Sequence, residues 1–319
     1  MSQLIDVVIP LAYKDIPKLS ICIASITANS LTPIKNIYIL ANQDIIKKNL
    51  YLNERVIWID ESEYPFTLKD IEMILHERNT LYQNSSWYYQ QLLKFYIFQA
   101  IPNLLSNTLI LDVDFFICQN IKFLTDDGKA ILAYGYPFKW LLNTRQYPSQ
   151  NQHSHIEFAQ RLIPNWQPIN SFSGMHHHML FQKEIIENIF SVVEENHHQQ
   201  FWRAFIDNIE FKKWNAASEY VIYYHFAMKF YPDSVISRHL NGCDFIHDEK
   251  ENHFILEMAK NYLENGEFQV VGCHSFLDLQ ARLKTMDYIP TDLKQKMLDS
   301  ARIVFKLILD DSILKIEIV

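Results

Sequence analysis

The chain has 319 residues, 49% of them hydrophobic and 21% charged, and its 29 Lys and Arg against 37 Asp and Glu leave a formal net charge of −8. This is the composition of an ordinary globular protein, enough for one large domain or two modest ones, and the acidic balance disfavours nucleic acid as a partner. The four cysteines (Cys22, Cys118, Cys243, Cys273) are scattered without a CxxC, which argues against a zinc knuckle or a disulfide framework, and the six glycines form neither GxGxxG nor a P-loop.

In chain order, residues 5–11 (IDVVIPL) read as a short buried strand, 16–29 have helical spacing, and 37–40 and 55–60 (RVIWID) are further strands. Residues 68–81 and 87–101 read as helices, the second closed by Pro102. Residues 108–116 (TLILDVDFF) are the fourth strand. Strands alternating with helices imply a largely parallel sheet with right-handed crossovers. Beyond residue 120 a strand is expected over 130–136, a polar loop over 146–154, and a loop leading into a strand over 171–181 (SFSGMHHHMLF). A helix follows over 184–194, another over 216–231 whose start is marked by Asn215 and which Pro232 ends. The strand 268–272 leads to Cys273 and His274, and a final amphipathic helix spans 291–309. With no repeat or Pro/Gly-rich linker, one continuous domain over 1–280 is expected, in halves 1–125 and 126–280, with a helical extension over 281–319 packed on it. The first residues lack the basic segment of a signal peptide and no run approaches the roughly 20 apolar residues of a membrane span, so a cytoplasmic protein is expected, with room for contact at the inner face of a membrane.

The strongest chemical signal is the pair Asp112 and Asp114. Burying a carboxylate costs several kcal/mol unless something compensates it, and these two end a run that otherwise avoids charge. On an extended chain residues two apart point the same way, so both could reach one hard cation. Ligands of open α/β sheets bind outside the carboxyl ends of the strands, where this pair falls. The plain alternative is a pair that caps the next turn.

Other candidates are weaker taken singly. Gln91 and Lys94 share a helix face with Trp87 and Phe98, and a lysine in that aromatic helix could meet an anionic ligand; the plain alternative is a lysine reaching solvent along its stem. Glu219 lies in the first turn of a helix, where acidic residues are common because they oppose the dipole. His176 and His178 would share a face of an extended chain with His177 pointing away, too few ligands for zinc, and they read as structural or acceptor-side. His274 ends its strand much as the acidic pair ends its own, and an imidazole beside carboxylates suits manganese better than magnesium.

Two enzyme classes use such an acidic pair. Phosphatases of the haloacid dehalogenase type place it near the chain start, followed by Thr or Val; here Phe115 follows and three strands precede. The chain resembles instead a largely uncharacterised bacterial family of GT-A-type glycosyltransferases linked with surface polysaccharide assembly. The resemblance is carried by WYYQQLLKFYIF (87–98), TLILDVDFFI (108–117), SFSGMHHHMLF (171–181), SEYVIYYHF (218–226) and VVGCHSF (270–276), with DVVIPL at the start. It implies a Rossmann-like, mostly parallel α/β sheet flanked by helices, a nucleotide-sugar donor such as a UDP-sugar, and Mn²⁺ or Mg²⁺ held by Asp112, Asp114 and His274. It further implies that Leu11, Ala12 and Tyr13 line the nucleoside, that Gln91 and Asp112 contribute to the donor site, that Lys94 assists the diphosphate, and that Glu219 deprotonates an acceptor hydroxyl on a glycan or lipid-linked glycan. The ED and QxxRW patterns of processive GT-A enzymes are absent. A protein that binds nucleotide sugars or glycans without turnover, and the phosphatase, remain the alternatives.

Overall fold

The computed structural model describes residues 3–47, 55–78, 85–135, 154–210, 216–240, 242–245 and 269–273. The helix expected over 291–309, the extension over 281–319 and His274 lie outside these residues.

Four strands build the centre: β1 (Ile5–Pro10), β2 (Ile34–Ala41), β3 (Val56–Asp60) and β4 (Asn107–Leu111), with β7 (His178–Gln182) as the fifth, in the order β3-β2-β1-β4-β7. The first four run parallel, as their unbroken apolar runs require when both faces are covered, while β7 is antiparallel to β4. Helix α1 (Ile16–Asn29) carries the chain from β1 to β2 on one side, whereas β4 lies on the other side of β1. The strand order therefore reverses between β1 and β4, which is the crevice where ligands bind in such sheets.

The strand expected over 108–116 is two. β4 stops at Leu111, a turn closes with Phe115 N–H donating to the Asp112 carbonyl at 3.0 Å, and β5 (Phe115–Ile117) joins a different sheet. In that sheet β5 pairs antiparallel with β10 (Val270–Cys273), which pairs parallel with β9 (Gly242–Phe245). Helix α1 fixes β5 from the side: Ile117 N–H donates to Ser25 Oγ at 3.1 Å, and Asn29 Nδ2 to the Ile117 carbonyl at 2.7 Å. The acidic pair therefore sits in a turn between two sheets, and the rule for extended chain does not place its side chains.

The helix expected over 87–101 is also two, α4 (Ser85–Phe95) and α5 (Ile97–Ala100). Ahead of them come the short α2 (Gln43–Ile46), between β2 and β3, and α3 (Leu68–Glu77), after β3. β6 (Ala130–Ala133) pairs parallel with β8 (Val235–Arg238); α6 (Ser154–Leu162) and α8 (Phe201–Asp207) are additions, and α7 (Lys183–His197) is the helix expected over 184–194. The helix expected from 216 begins later, as α9 (Glu219–Phe230), because the Ser218 side chain accepts from Val221 N–H at 3.4 Å and caps it. An aromatic core links these layers, with Phe95 of α4, Phe181 of β7 and Tyr223 of α9 in contact at centroid distances of 6.0 and 4.4 Å. No described helix is long and apolar enough to cross a membrane.

At the amino end of β1, Asp6 is fully buried, and its carboxylate accepts backbone N–H groups from Leu105 (2.8 Å) and Asn36 (3.1 Å). Burial raises its pKa above the ordinary carboxylate value and the two amides only partly offset that.

Candidate functional site

Helix α4 presents one face to the segment that starts α9. Trp87 Nε1 donates to the Ala217 carbonyl at 3.4 Å, Gln91 Nε2 to the same carbonyl at 3.1 Å, and Lys94 reaches Glu219. Positions i, i+4 and i+7 share a helix face, so the expected grouping of Trp87, Gln91 and Lys94 is what the structure shows. Gln91 is buried; its Nε2 fastens α4 to Ala217 while its Oε1 has no hydrogen-bond partner among the described residues.

Lys94 is the hub. Its ammonium lies 2.5 Å from Asp112 Oδ1 and 2.6 Å from Glu219 Oε1, and donates to Tyr220 Oη at 3.2 Å. Of the three donors of an ammonium, two are spent on Glu219 and Tyr220, and Asp112 makes an ion-pair contact beside them. The cation expected to meet a diphosphate here holds two carboxylates from different elements. Burial works against its charge, but Asp112 and Glu219 outweigh that and raise its pKa well above the ordinary value.

Asp112 sits at the carboxyl end of β4 with its side chain 14% exposed. Oδ1 is buried against Lys94, and Oδ2 lies 3.2 Å from His177 Nδ1. Burial alone would raise its pKa; Lys94 first and His177 second overcome that and hold it below the usual carboxylate range. Asp114, two residues on, is half-buried. Two carboxylates, Asp112 and Glu219, thus meet one ammonium, and Asp114 follows two residues along the acidic turn.

The histidine triplet differs from its expected placement. His177 adopts φ 54°, in the left-handed region, so the alternation of an extended chain fails there. Its carbonyl accepts Asp112 N–H at 2.9 Å and its ring turns to the Asp112 carboxylate instead of away. All three imidazoles surround Phe115, with centroids 5.6, 6.0 and 5.0 Å from it for His176, His177 and His178. His178 is buried, and that burial pushes its pKa well below the usual value. Gly174 leads into this segment with φ +74°, and a Cβ there would fall 2.3 Å from Tyr224 Cβ, so only glycine fits.

Of the expected nucleoside contacts, Leu11 is buried in the core, and its backbone N–H is spent on the Leu40 carbonyl at 2.8 Å, which withdraws it from a ligand. Ala12 and Tyr13 are exposed at the carboxyl end of β1, beside the crevice, Tyr13 by 60%. The register Gly272 opposite Phe115 brings the described end of β10 to the acidic turn. His274 itself lies outside the described residues, and among those described no three His, Cys, Asp or Glu side chains form a metal cluster. The donor set nevertheless suits a hard divalent cation: Oδ2 of Asp112 keeps a lone pair beyond the one used by His177, Asp114 adds a second carboxylate, and the surrounding charge is negative.

A protein-family model described as a family of unknown function (DUF6492) matches residues 2–289. No curated protein compared with the chain matches it. Among solved structures, the chain is similar to mouse xyloside xylosyltransferase 1 in its apo form, at 10% identity and a TM-score of 0.43, over 86% of this chain and 98% of that one. It is also similar to the galactosyltransferase LgtC in complex with donor and acceptor sugar analogs, at 11% identity and a TM-score of 0.49, over 98% of both chains. Likenesses of this size leave the assignment to the geometry.

Proposed function

We propose that this chain, which belongs to that family of unknown function, is a GT-A-type glycosyltransferase that moves a sugar from a nucleotide-diphosphate-sugar donor to an acceptor hydroxyl on a glycan or lipid-linked glycan. The observation that carries the reading is the Asp112–Lys94–Glu219 cluster just past the carboxyl end of β4, in the turn that also carries Asp114, beside the point where the strand order reverses. The sequence resemblance to that enzyme class supports it independently.

Asp112 through Oδ2, Asp114 and His274 would hold a divalent cation, Mn²⁺ before Mg²⁺ if the imidazole takes part. Such an ion supplies Lewis-acid stabilisation to a departing diphosphate. Lys94 holds Asp112 and Glu219 in place, so the carboxylates need no rearrangement when charge develops on the substrate. Tyr13, exposed at the end of β1, offers a ring face to the nucleoside, and Ala12 beside it leaves room for close approach. Glu219 is buried with one oxygen on Lys94, and its other oxygen is the base once the acceptor reaches it. It accepts the hydroxyl proton as the acceptor oxygen bonds to the anomeric carbon, and the diphosphate leaves with the electron pair of the broken glycosidic bond, inverting the centre. A role in surface polysaccharide assembly, on the cytoplasmic side of a membrane, is the setting this chemistry fits.

Slow donor hydrolysis tests the reading. Purified protein, Mn²⁺ and a panel of UDP-, GDP- and CMP-sugars should give nucleotide release with at least one donor. Binding of a donor without release would instead favour a nucleotide-sugar-binding protein, and absence of both would remove the assignment.

A further inference from the structure

His177 has no part in the mechanism above, yet it contacts Asp112 twice, once through its backbone and once through its ring. Its carbonyl accepts the Asp112 N–H at 2.9 Å, and its ring Nδ1 lies 3.2 Å from Asp112 Oδ2. Both depend on a left-handed backbone, φ 54°, that a residue with a Cβ seldom adopts and that persists only where the surroundings enforce it. The enforcement is visible: Gly174 is pressed against Tyr224, the Gly174 N–H donates to the Tyr134 carbonyl at 2.9 Å, and the His178 ring stacks on Phe115 at 5.0 Å.

A carboxylate held at one oxygen can still rotate about its last bond. Lys94 holds Oδ1 of Asp112 in a buried contact, which leaves Oδ2 as the oxygen open to a ligand. An ionised carboxylate only accepts, so the nitrogen facing it carries the proton. We propose that His177 is a positioning residue: its Nδ1–H bond to Oδ2 fixes the plane of the Asp112 carboxylate and directs the remaining lone pair of that oxygen at the divalent cation. Partners that orient a ligating carboxylate in this way typically change metal affinity by about 10- to 100-fold when removed. The inference rests on the cation site proposed above.

The test is Mn²⁺ binding to the purified protein, read from the EPR signal of free Mn²⁺, beside the melting temperature of the metal-free protein. His177→Phe keeps a ring against Phe115 and removes the nitrogen; His177→Gly accepts the left-handed backbone and removes the ring; His177→Asn accepts that backbone and keeps a donor. The expected result is that the Phe and Gly variants bind Mn²⁺ about 10-fold or more weakly, that the Asn variant stays within about 3-fold of wild type, and that the Phe variant melts close to wild type. Either of the first two should suffice if the other does not fold. Wild-type affinity in the Phe or Gly variant, or loss in Asn equal to that in Phe, overturns the role of His177 alone. A wild-type protein that binds no Mn²⁺ overturns the cation site and this inference with it.

Discussion

Two aspartates sit at opposite ends of the adjacent strands β1 and β4, and they are satisfied in different ways. Asp6, at the amino end, is served by the backbone amides of Leu105 and Asn36, which cannot move without moving the fold. Asp112, at the carboxyl end, is served by the side chains of Lys94 and His177. A carboxylate held by amides is a structural joint. One held by titratable side chains, beside a second carboxylate and a crevice, is arranged for exchange with a ligand. Burial costs both, but only at Asp112 does the environment reverse the effect on the pKa.

The sharpest way to break this contrast is to neutralise each end. Asp112→Asn with Asp114→Asn should lower sugar transfer by about 10³-fold or more while the protein still folds, as circular dichroism and the melting transition would show. Transfer at the wild-type rate would remove the acidic turn from the mechanism. Lys94→Met leaves Asp112 and Glu219 facing each other without their cation, and urea unfolding should show a loss of about 3–5 kcal/mol. Asp6→Asn replaces an acceptor with a group that offers one acceptor and one misplaced donor; a loss of about 1–3 kcal/mol is expected, with transfer per folded molecule unchanged. If Asp6→Asn cost activity as Asp112→Asn does, the two ends would not differ in kind.

The smallest effect is in pH. Asp112 has a folded pKa below the ordinary value of 3.8, so its contribution is present above that pH and is lost as pH falls toward the folded value. Asp6 has a folded pKa above 3.8, so its ionisation costs stability as pH rises through that folded value. In metal-free protein the stability gap between wild type and Asp112→Asn should therefore widen from pH 3.5 to pH 6 (about the range set by these shifts), and the gap to Asp6→Asn should narrow. Parallel slopes would contradict the contrast.

Much of the carboxyl end was legible in the sequence because its signals are local. Continuous apolar runs announced the parallel strands, charge at the end of one of them marked Asp112 and Asp114, and helical spacing grouped Trp87, Gln91 and Lys94. What the sequence hid depends on distant partners or on backbone sign. Lys94 and Glu219 are 125 residues apart, so nothing local showed that the lysine was already engaged by a second carboxylate. The turn at Asp112 interrupts what reads as one strand, because a chain that changes sheets keeps the same apolar residues on both sides. The left-handed φ of His177 leaves no trace in composition, and without it the triplet alternates the wrong way. Gly174 was the nearest hint, a scarce glycine just ahead of three histidines, but its meaning lies in Tyr224, fifty residues on in the chain.

The central claim is that a nucleotide sugar and a divalent cation bind together outside β4. It is tested most directly by thermal unfolding of the wild-type chain with a panel of nucleotide sugars, with and without Mn²⁺, beside the Asp112→Asn, Asp114→Asn variant. A ligand that binds only the native state raises its melting temperature. The expected result is a rise that needs both sugar nucleotide and metal and vanishes in the variant; no rise with any donor, or an equal rise in the variant, would contradict it.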